Sequence, residues 1–216
     1  MDTPTRSSLI KRPFSYAYWN VSLILIGINL LVYLLTRVAP GMYTWLSLNV
    51  VNLIYHRMYW QFFTYMFVHG GFTHLLFNML ALFFFGMSVE RRLGSKEFLL
   101  LYFVSGLFCG IFSFGIYYFT GSVNVFLMGA SGAIYAMLLS YAVLFPASSI
   151  FIWGIIPVPA PILVLVYAAI EILSELFSWR SGVAHMTHLA GFAVAWLYFL
   201  VRLGINPWKV WKSTFR

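Results

Sequence analysis

The chain has very little charge and almost no cysteine. Of its 216 residues, 8% are charged and 62% are hydrophobic, whereas about 25% of the residues of a soluble domain are charged. This scarcity excludes a soluble globular domain and a disordered tail. The one cysteine, Cys109, has no intrachain partner, which excludes a disulfide-stapled secreted scaffold. The composition predicts a polytopic membrane protein, small enough to be one domain.

The net charge of +8 does not indicate a nucleic-acid-binding protein. The 13 Lys and Arg residues lie in short clusters between apolar runs and form no basic stripe. The positive-inside rule accounts for the same charges. We therefore expect the lipid bilayer, and no nucleic acid, as a partner.

Six apolar runs approach the length of about 20 residues that a membrane-spanning helix needs. We predict an all-α bundle of six transmembrane helices within residues 17–204, between a short cytoplasmic tail at 1–16 and a basic cytoplasmic tail at 205–216. The predicted spans are residues 17–36, 72–89, 98–119, 131–145, 162–177 and 184–203.

The basic residues indicate the orientation of this bundle. With the N-terminus inside, all but three of the 13 basic residues fall on inner segments, and the exceptions are Arg37, Arg57 and Arg180. Cytoplasmic loops are enriched in Lys and Arg. We predict a multi-pass protein of a prokaryotic plasma membrane with both termini in the cytoplasm.

Two connecting segments do not resemble plain loops. The long outer segment 38–71 is rich in aromatic residues, which suit the membrane interface. A seventh span there would conflict with the distribution of basic residues. The inner segment 148–161 is apolar but interrupted by prolines, and we expect it to pack along the cytoplasmic rim.

Polar side chains gather at the outer ends of three predicted helices, although such groups are costly in a bilayer. The first group is His69, His74 and Asn78. His74 and Asn78 are four residues apart and share one helix face, where two hydrogen-bond donors would suit an anionic oxygen. Hydrogen bonding between helices is the alternative role for this group.

The second group is Ser131, which lies between Gly129 and Gly132 in the sequence Gly-Ala-Ser-Gly. The glycines predict that Ser131 is at or near a helix start with little bulk around it. Backbone N–H groups are unpaired there and suit an oxyanion. Small residues on a helix-packing face are the alternative interpretation.

The third group is His188 with Gly191 and Ala195, which share one helix face. The two small residues predict a close approach to another helix, best matched by the one that carries Gly132. That approach would bring His188 to Ser131 and let Tyr135 pack on the imidazole. His185 is the alternative base, but only His188 has a glycine three residues later.

A metal site is the competing interpretation of the histidines. Zinc ligands would be His69, His74, His185 and His188, but no His-Glu-x-x-His motif is present. We therefore expect no metal and no cofactor. We place the carboxylates toward the inner side or elsewhere along the helices, and expect none near Ser131. The chemistry is then predicted to use a Ser–His dyad without an acid. The carboxylates concerned are Glu90, Glu97, Glu171 and Glu175.

In these motifs the chain resembles the rhomboid intramembrane serine proteases along nearly its whole length. The motifs, in order, are Tyr59-Trp60-Gln61, His-x4-His-x3-Asn from His69 to Asn78, Glu90-Arg91-Arg92-Leu93-Gly94, Gly-Ala-Ser-Gly at Ser131, Tyr135, and His-x-x-Gly at His188. Two positions depart from the family pattern: Gln61, where Arg is frequent, and Ala195, where Gly is usual.

The resemblance implies a role for each matching residue. Ser131 would be the nucleophile and His188 the general base, while His74, Asn78 and the Ser131 N–H would stabilise the oxyanion. Tyr135 would stack on His188. His69 would support the loop before the second helix, and Gly129, Gly132 and Gly191 would support the site. Glu90 would be a structural polar group.

The predicted function is that of a serine endopeptidase, with an active site open to the outer face. It would hydrolyse peptide bonds in or near transmembrane helices of single-span or multi-span membrane proteins. A rhomboid-like pseudoprotease that binds such proteins without cleaving them is the alternative. A small channel or transporter would predict inverted repeats, and the sequence contains none that we detect.

Overall fold

The computed structural model describes residues 14–152, 154–177 and 185–215, which are mostly helical. In chain order the helices are α1 (Val21–Val38), α2 (Gly41–Leu46), α3 (Val50–Tyr55), α4 (Gln61–Thr64), α5 (Phe72–Ala81), α6 (Met87–Leu93), α7 (Ser95–Phe119), α8 (Ser131–Leu144), α9 (Ala160–Phe177), α10 (His185–Val201) and α11 (Pro207–Thr214).

Several features predicted from the sequence lie outside the described residues. They are the basic residues Arg6, Lys11, Arg12, Arg180 and Arg216, the predicted helix stop at 179–182, and Ala184, the first residue of the predicted last span.

Four helices in the described residues are long and apolar enough to cross a membrane. They are Val21–Val38, Phe72–Leu93, Ser95–Phe119 and Ala160–Phe177. In the second of these, a π-helical turn at Leu82–Gly86 joins α5 to α6. The apolar helices α8 and α10 have only 14 and 17 residues. The count of six spans therefore stays a prediction.

Helix α8 lies at the centre of the bundle. It packs against α7, α9 and α10, and also contacts α5, α6 and α11. Residues on all of its faces are buried, as expected for a helix that is apolar all round. Its last residue is Leu144, because Pro146 cannot continue a helix. The element that begins with Ser131 is thus held on every side.

The outer surface of the helices is apolar. Leu34 on α1, Phe77 on α5 and Leu165 on α9 are each more than half exposed, and many other large apolar side chains share this position. Monomeric soluble proteins rarely expose apolar patches of this extent. A surface of this kind is suited to contact with the acyl chains of lipids.

The prediction of an all-α fold is wrong for the segment 148–161. Strand β1 (Ser149–Ile152) pairs in antiparallel register with β2 (Ile156–Pro159), with Ile150 opposite Val158. Gly154 in the connection has a φ of 72°, which favours glycine. A two-stranded hairpin tolerates the prolines of β2, because the outer edge of each strand needs no donor.

The segment 38–71 contains the short helices α2, α3 and α4. The side chain of Gln61 holds this segment together by hydrogen bonds. This side chain is fully buried. Its Nε2 donates to the carbonyl oxygen of Thr44 at 2.9 Å, and its Oε1 accepts from the backbone N–H of Asn49 at 3.1 Å. The Trp60 ring stacks on Trp45 with 5.8 Å between centroids. The residue that departs from the family pattern thus holds the segment together.

This segment also supports the chain that leads into α8. Leu48 and Leu127 exchange two backbone hydrogen bonds of 3.0 and 2.8 Å, and the Gly129 N–H donates to the Tyr65 carbonyl oxygen at 3.0 Å. These bonds set the position of the backbone just before Ser131.

Glu90, in the first turn of α6, caps the N-terminus of α1. Its buried carboxylate accepts hydrogen bonds from the backbone N–H groups of Val21 and Ser22 at 2.7 and 2.8 Å. The hydroxyls of Ser22 and Ser95 donate to it at 2.8 and 2.6 Å. The first N–H groups of a helix have no intrahelical acceptor, so this one side chain satisfies α1 and ties it to α6 and α7.

We expect Glu90→Gln to lower the free energy of unfolding by about 2–4 kcal/mol, because an amide has one acceptor oxygen where four donors converge. Denaturant unfolding in detergent micelles, followed by tryptophan fluorescence, measures this change. Glu175→Gln is the matched control, since Glu175 is exposed. Equal unfolding midpoints for the two variants would contradict the capping role.

Candidate active site

Ser131 is the first residue of α8, in agreement with the predicted helix start. Gly129 before it has a φ of 114°, a conformation that side chains with a Cβ rarely adopt. A Cβ at Gly129 would also lie 2.7 Å from Cε1 of His74. Glycine therefore allows both the turn into α8 and the approach of the His74 ring.

His188, in the first turn of α10, lies against Ser131. Its Nε2 is 2.8 Å from the Ser131 Oγ. The close approach of helices predicted from the small residues is present, because a Cβ at Gly191 would lie 2.2 Å from the Gly132 carbonyl oxygen. Ala195, on the same face, is fully buried. The contact between α8 and α10 thus sets the distance between hydroxyl and imidazole.

Gly132 and Tyr135 complete this contact from α8. A Cβ at Gly132 would lie 2.9 Å from the Cβ and Sγ of Cys109, so glycine also lets α7 approach. The Tyr135 ring stacks on the His188 imidazole with 4.3 Å between centroids and 10° between planes. The ring holds the imidazole from one side.

The prediction that no carboxylate lies near Ser131 is wrong. Glu171 of α9 is 5% exposed, and its Oε1 lies 3.0 Å from Nδ1 of His188. Its Oε2 lies 2.5 Å from Nδ1 of His185, and the Tyr135 hydroxyl also donates to Oε1. His185 therefore contacts the carboxylate that also contacts His188.

Glu171 was predicted together with Glu90, Glu97 and Glu175 to lie toward the inner side or elsewhere along the helices, and its own position on α9 was not considered. Helix α9 begins at Ala160, and at 1.5 Å per residue Glu171 lies about 16 Å along it, past the middle of the helix. An ionisable residue inside an apolar run is a functional hypothesis by default. That signal, applied to α9, would have found Glu171.

The His74 ring lies against Gly129, in the turn that leads to Ser131, and it also contacts the His69 ring. The two rings meet edge to face with 5.0 Å between centroids. Burial, together with the neighbouring His74, lowers the pKa of His69 to about 4. His69 is therefore neutral near pH 7, and it packs against His74 as an uncharged ring at the entrance to α5.

Asn78 is one turn further along α5 and almost fully buried. Its Nδ2 donates to the carbonyl oxygen of His74 at 2.7 Å. An amide carries two donor protons, so the second remains for another acceptor. The structure brings His74 next to the turn before Ser131 and fixes Asn78 to its own helix.

A polar cavity of about 260 Å³ adjoins the site at the start of α10. Its lining includes His185, Thr187, Ser113 and Glu175. The Thr187 and Ser113 hydroxyls are 2.6 Å apart. Since one water occupies about 30 Å³ of liquid volume, this cavity has room for several waters next to His185.

In the part of the chain that the structure describes, no arrangement of side chains supports a metal site. No group of three or more His, Cys, Asp or Glu side chains there is placed to hold an ion. The Nδ1 atoms of His185 and His188 face the Glu171 carboxylate instead.

A serine hydroxyl bonded to an imidazole, which is bonded in turn to a carboxylate, is the arrangement with which serine hydrolases activate a nucleophile. Comparison with known proteins identifies the family. A family model described as Rhomboid domain matches residues 56–204, which is more than half of the chain. The chain belongs to the rhomboid family.

Several curated relatives carry the same family name. RHOMBOID-like protein 4 of Arabidopsis thaliana is 34% identical over 169 residues, which are 76% of this chain and 39% of that protein. Rhomboid protease GlpG of Salmonella paratyphi A is 31% identical over 141 residues, 62% of this chain and 45% of that protein. Rhomboid protease GluP of Bacillus subtilis is 38% identical over 93 residues, 40% and 16% of the two chains. The chain thus spans less than half the length of these relatives.

Family membership and the apolar helices together make the chain an integral membrane protein.

Proposed function

We propose that the chain is an intramembrane serine endopeptidase in which Ser131 is the nucleophile and His188 the general base. The observation that carries the proposal is the 2.8 Å contact between Ser131 Oγ and His188 Nε2. A base must lie within hydrogen-bond reach of the proton that it removes. The same contact argues for an enzyme over a pseudoprotease, which has no use for it.

The reaction begins with attack of Ser131 Oγ on the carbonyl carbon of the scissile peptide bond. The Ser131 proton passes to His188 Nε2 as the new C–O bond forms, and the carbonyl oxygen becomes an oxyanion. His188 then gives this proton to the leaving amine nitrogen as the C–N bond breaks. An acyl group remains on Ser131.

Three donors are proposed to stabilise the oxyanion: the His74 ring, the second Asn78 amide proton and the Ser131 N–H. The first N–H groups of α8 have no intrahelical acceptor and point toward incoming negative charge. Loss of one such donor typically lowers the rate about 10²–10³-fold. Gly129 supports this arrangement by leaving space for the His74 ring.

Water completes the cycle by attacking the acyl group on Ser131. His188 takes a proton from this water and returns it to Ser131 Oγ as the acid product leaves. The polar cavity beside His185 and Thr187 is the proposed source of water. No metal or cofactor has a part in this scheme.

The proposed substrates are single-span or multi-span membrane proteins in the same bilayer. A peptide bond inside a helix is shielded by the helix's own hydrogen bonds, so the substrate is a helix that unwinds readily near its outer end, with a small residue at the cut. Substrates of this kind are what membership of the rhomboid family implies.

The proposed topology has six spans, with α8 and α10 as the two short ones. Both termini are cytoplasmic, the site opens to the outer face, and the host membrane is a prokaryotic plasma membrane. The distribution of basic residues supports this orientation. The segment 38–71 lies at the outer interface, where its aromatic side chains suit the headgroup region.

The test is cleavage of a single-span reporter protein by the purified chain in liposomes. We expect the wild-type chain to cut the reporter and His188→Ala to lower the rate at least about 10³-fold, because the hydroxyl loses its base. His56→Ala is the matched control, since His56 is exposed in the segment 38–71. A wild-type chain that binds the reporter without cutting it would favour the pseudoprotease.

A further inference from the structure

We propose that Glu171 is a positioning residue of this site, which extends the Ser131–His188 pair to a Glu171–His188–Ser131 triad. The inference rests on the proposed function and adds a third member to it. It starts from the geometry of one buried carboxylate that receives hydrogen bonds from two helices.

The carboxylate of Glu171 has three hydrogen-bonding neighbours. Oε1 lies 3.0 Å from His188 Nδ1 and accepts from the Tyr135 hydroxyl, while Oε2 lies 2.5 Å from His185 Nδ1. A carboxylate buried to 5% exposure is tolerated only when such donors surround it. With the Tyr135 hydroxyl donating to Oε1 and a basic imidazole beside each oxygen, we take the carboxylate as ionised, a form that only accepts hydrogen bonds.

This arrangement determines which nitrogen of His188 carries the proton. Because the ionised carboxylate only accepts hydrogen bonds, Nδ1 of His188 must carry a proton to bond to it. In the neutral ring Nε2 is then without a proton. Nε2 is the atom that lies 2.8 Å from Ser131 Oγ. Glu171 therefore holds His188 in the tautomer that a general base needs.

The same carboxylate stabilises the charge that forms during the reaction. When the Ser131 proton moves to Nε2, His188 becomes an imidazolium ion beside the Glu171 carboxylate. The proton stays on the imidazole, and Glu171 keeps its negative charge throughout. Because the Glu171 carboxylate is itself almost fully buried, this pairing is stronger than at a surface.

His185 and Tyr135 hold Glu171 in place for this role. His185 bonds the oxygen that faces away from His188, so the other oxygen stays directed at His188. Tyr135 stacks on the His188 ring and bonds the carboxylate, so it supports both partners. This gives His185, the second histidine of the motif, a function without contact to Ser131.

The experiment compares kcat and KM for the wild-type chain, Glu171→Gln and Glu171→Asp in liposomes. An amide presents a donor where two imidazoles and a hydroxyl need acceptors. In soluble serine proteases the equivalent acid-to-amide change lowers kcat about 10⁴-fold through the wrong tautomer. We expect Glu171→Gln to lower kcat by about 10²–10⁴-fold with little change in KM, and Glu171→Asp to recover part of it.

Two measurements separate positioning from a merely structural role. A structural role alone would lower the unfolding midpoint of Glu171→Gln, whereas lost positioning lowers kcat of the chain that stays folded. Partial recovery of kcat by Glu171→Asp, which keeps both acceptor oxygens, is expected only for a positioning role.

His56→Gln is the control, because it introduces the same amide at an exposed position in the segment 38–71, and wild-type kcat and KM are expected. The tautomer of His188 can be measured in the wild-type chain, so this test does not depend on whether the Glu171 variants fold. In ¹⁵N-histidine NMR spectra, assigned with His188→Ala, the proton of neutral His188 is expected on Nδ1.

Failure of this inference is distinct from failure of the proposed function. A wild-type chain that cleaves nothing overturns both. An active wild-type chain with a Glu171→Gln variant of equal kcat overturns the triad alone. A proton on Nε2 of neutral His188 in the wild-type chain does the same.

Discussion

Replacement of Ser131 by alanine is expected to abolish cleavage of a single-span reporter in liposomes while the chain still folds and inserts. The change removes only the Oγ that lies 2.8 Å from His188. Alanine is a good helix former, so α8 keeps its start. Loss of the nucleophile in serine proteases lowers kcat by about 10⁶-fold, which is below detection in this assay.

The matched control for this change is Ser140→Ala, on the same helix. Ser140 is fully buried and donates to the Ala136 carbonyl oxygen at 2.7 Å, so its loss tests the effect of removing a buried hydroxyl from α8. We expect the control to retain most of the wild-type rate. Turnover by Ser131→Ala at the wild-type rate would refute the assignment of the nucleophile.

Gly191→Ala is expected to damage both activity and stability. The added Cβ would lie 2.2 Å from the Gly132 carbonyl oxygen and 3.1 Å from its carbonyl carbon. Both are backbone atoms, so α8 and α10 must move apart. Overpacking of this kind typically costs about 1–3 kcal/mol, and a shift of about 1 Å between reacting groups lowers rates about 10²-fold.

The measurement is the cleavage rate together with the midpoint of thermal unfolding. Gly115→Ala is the control, because Gly115 lies within α7 and an added Cβ there meets no atom within 4 Å. We expect the control to keep its activity and to be as stable as the wild-type chain or slightly more stable. A Gly191→Ala variant with wild-type activity would mean that the helix contact does not set the site geometry.

The long helices and the meeting of α8 with α10 were predictable from the sequence, since each depends on a local pattern. Apolar runs of span length predicted α1, α7 and α9. The small residues Gly191 and Ala195 on one helix face predicted the close approach, because small residues let backbones touch. The stacking of Tyr135 on His188 follows from that one contact.

The remaining features depend on interactions between residues far apart in the chain. The hairpin at 149–159 needs cross-strand pairing, which its apolar, proline-containing sequence concealed. The position of Gln61 depends on acceptors 16 and 17 residues earlier. The position of Glu171 depends on His188 and Tyr135, which are 17 and 36 residues away on other helices.

Chemical labelling of Ser131 tests the central claim most directly. A fluorophosphonate reacts rapidly with a serine whose proton is removed by a neighbouring base. In membranes containing the wild-type chain we predict one adduct, located on Ser131 by mass spectrometry, absent from Ser131→Ala and formed at least about 10²-fold more slowly in His188→Ala. A preparation that cleaves its reporter but carries no adduct on Ser131 would contradict the account.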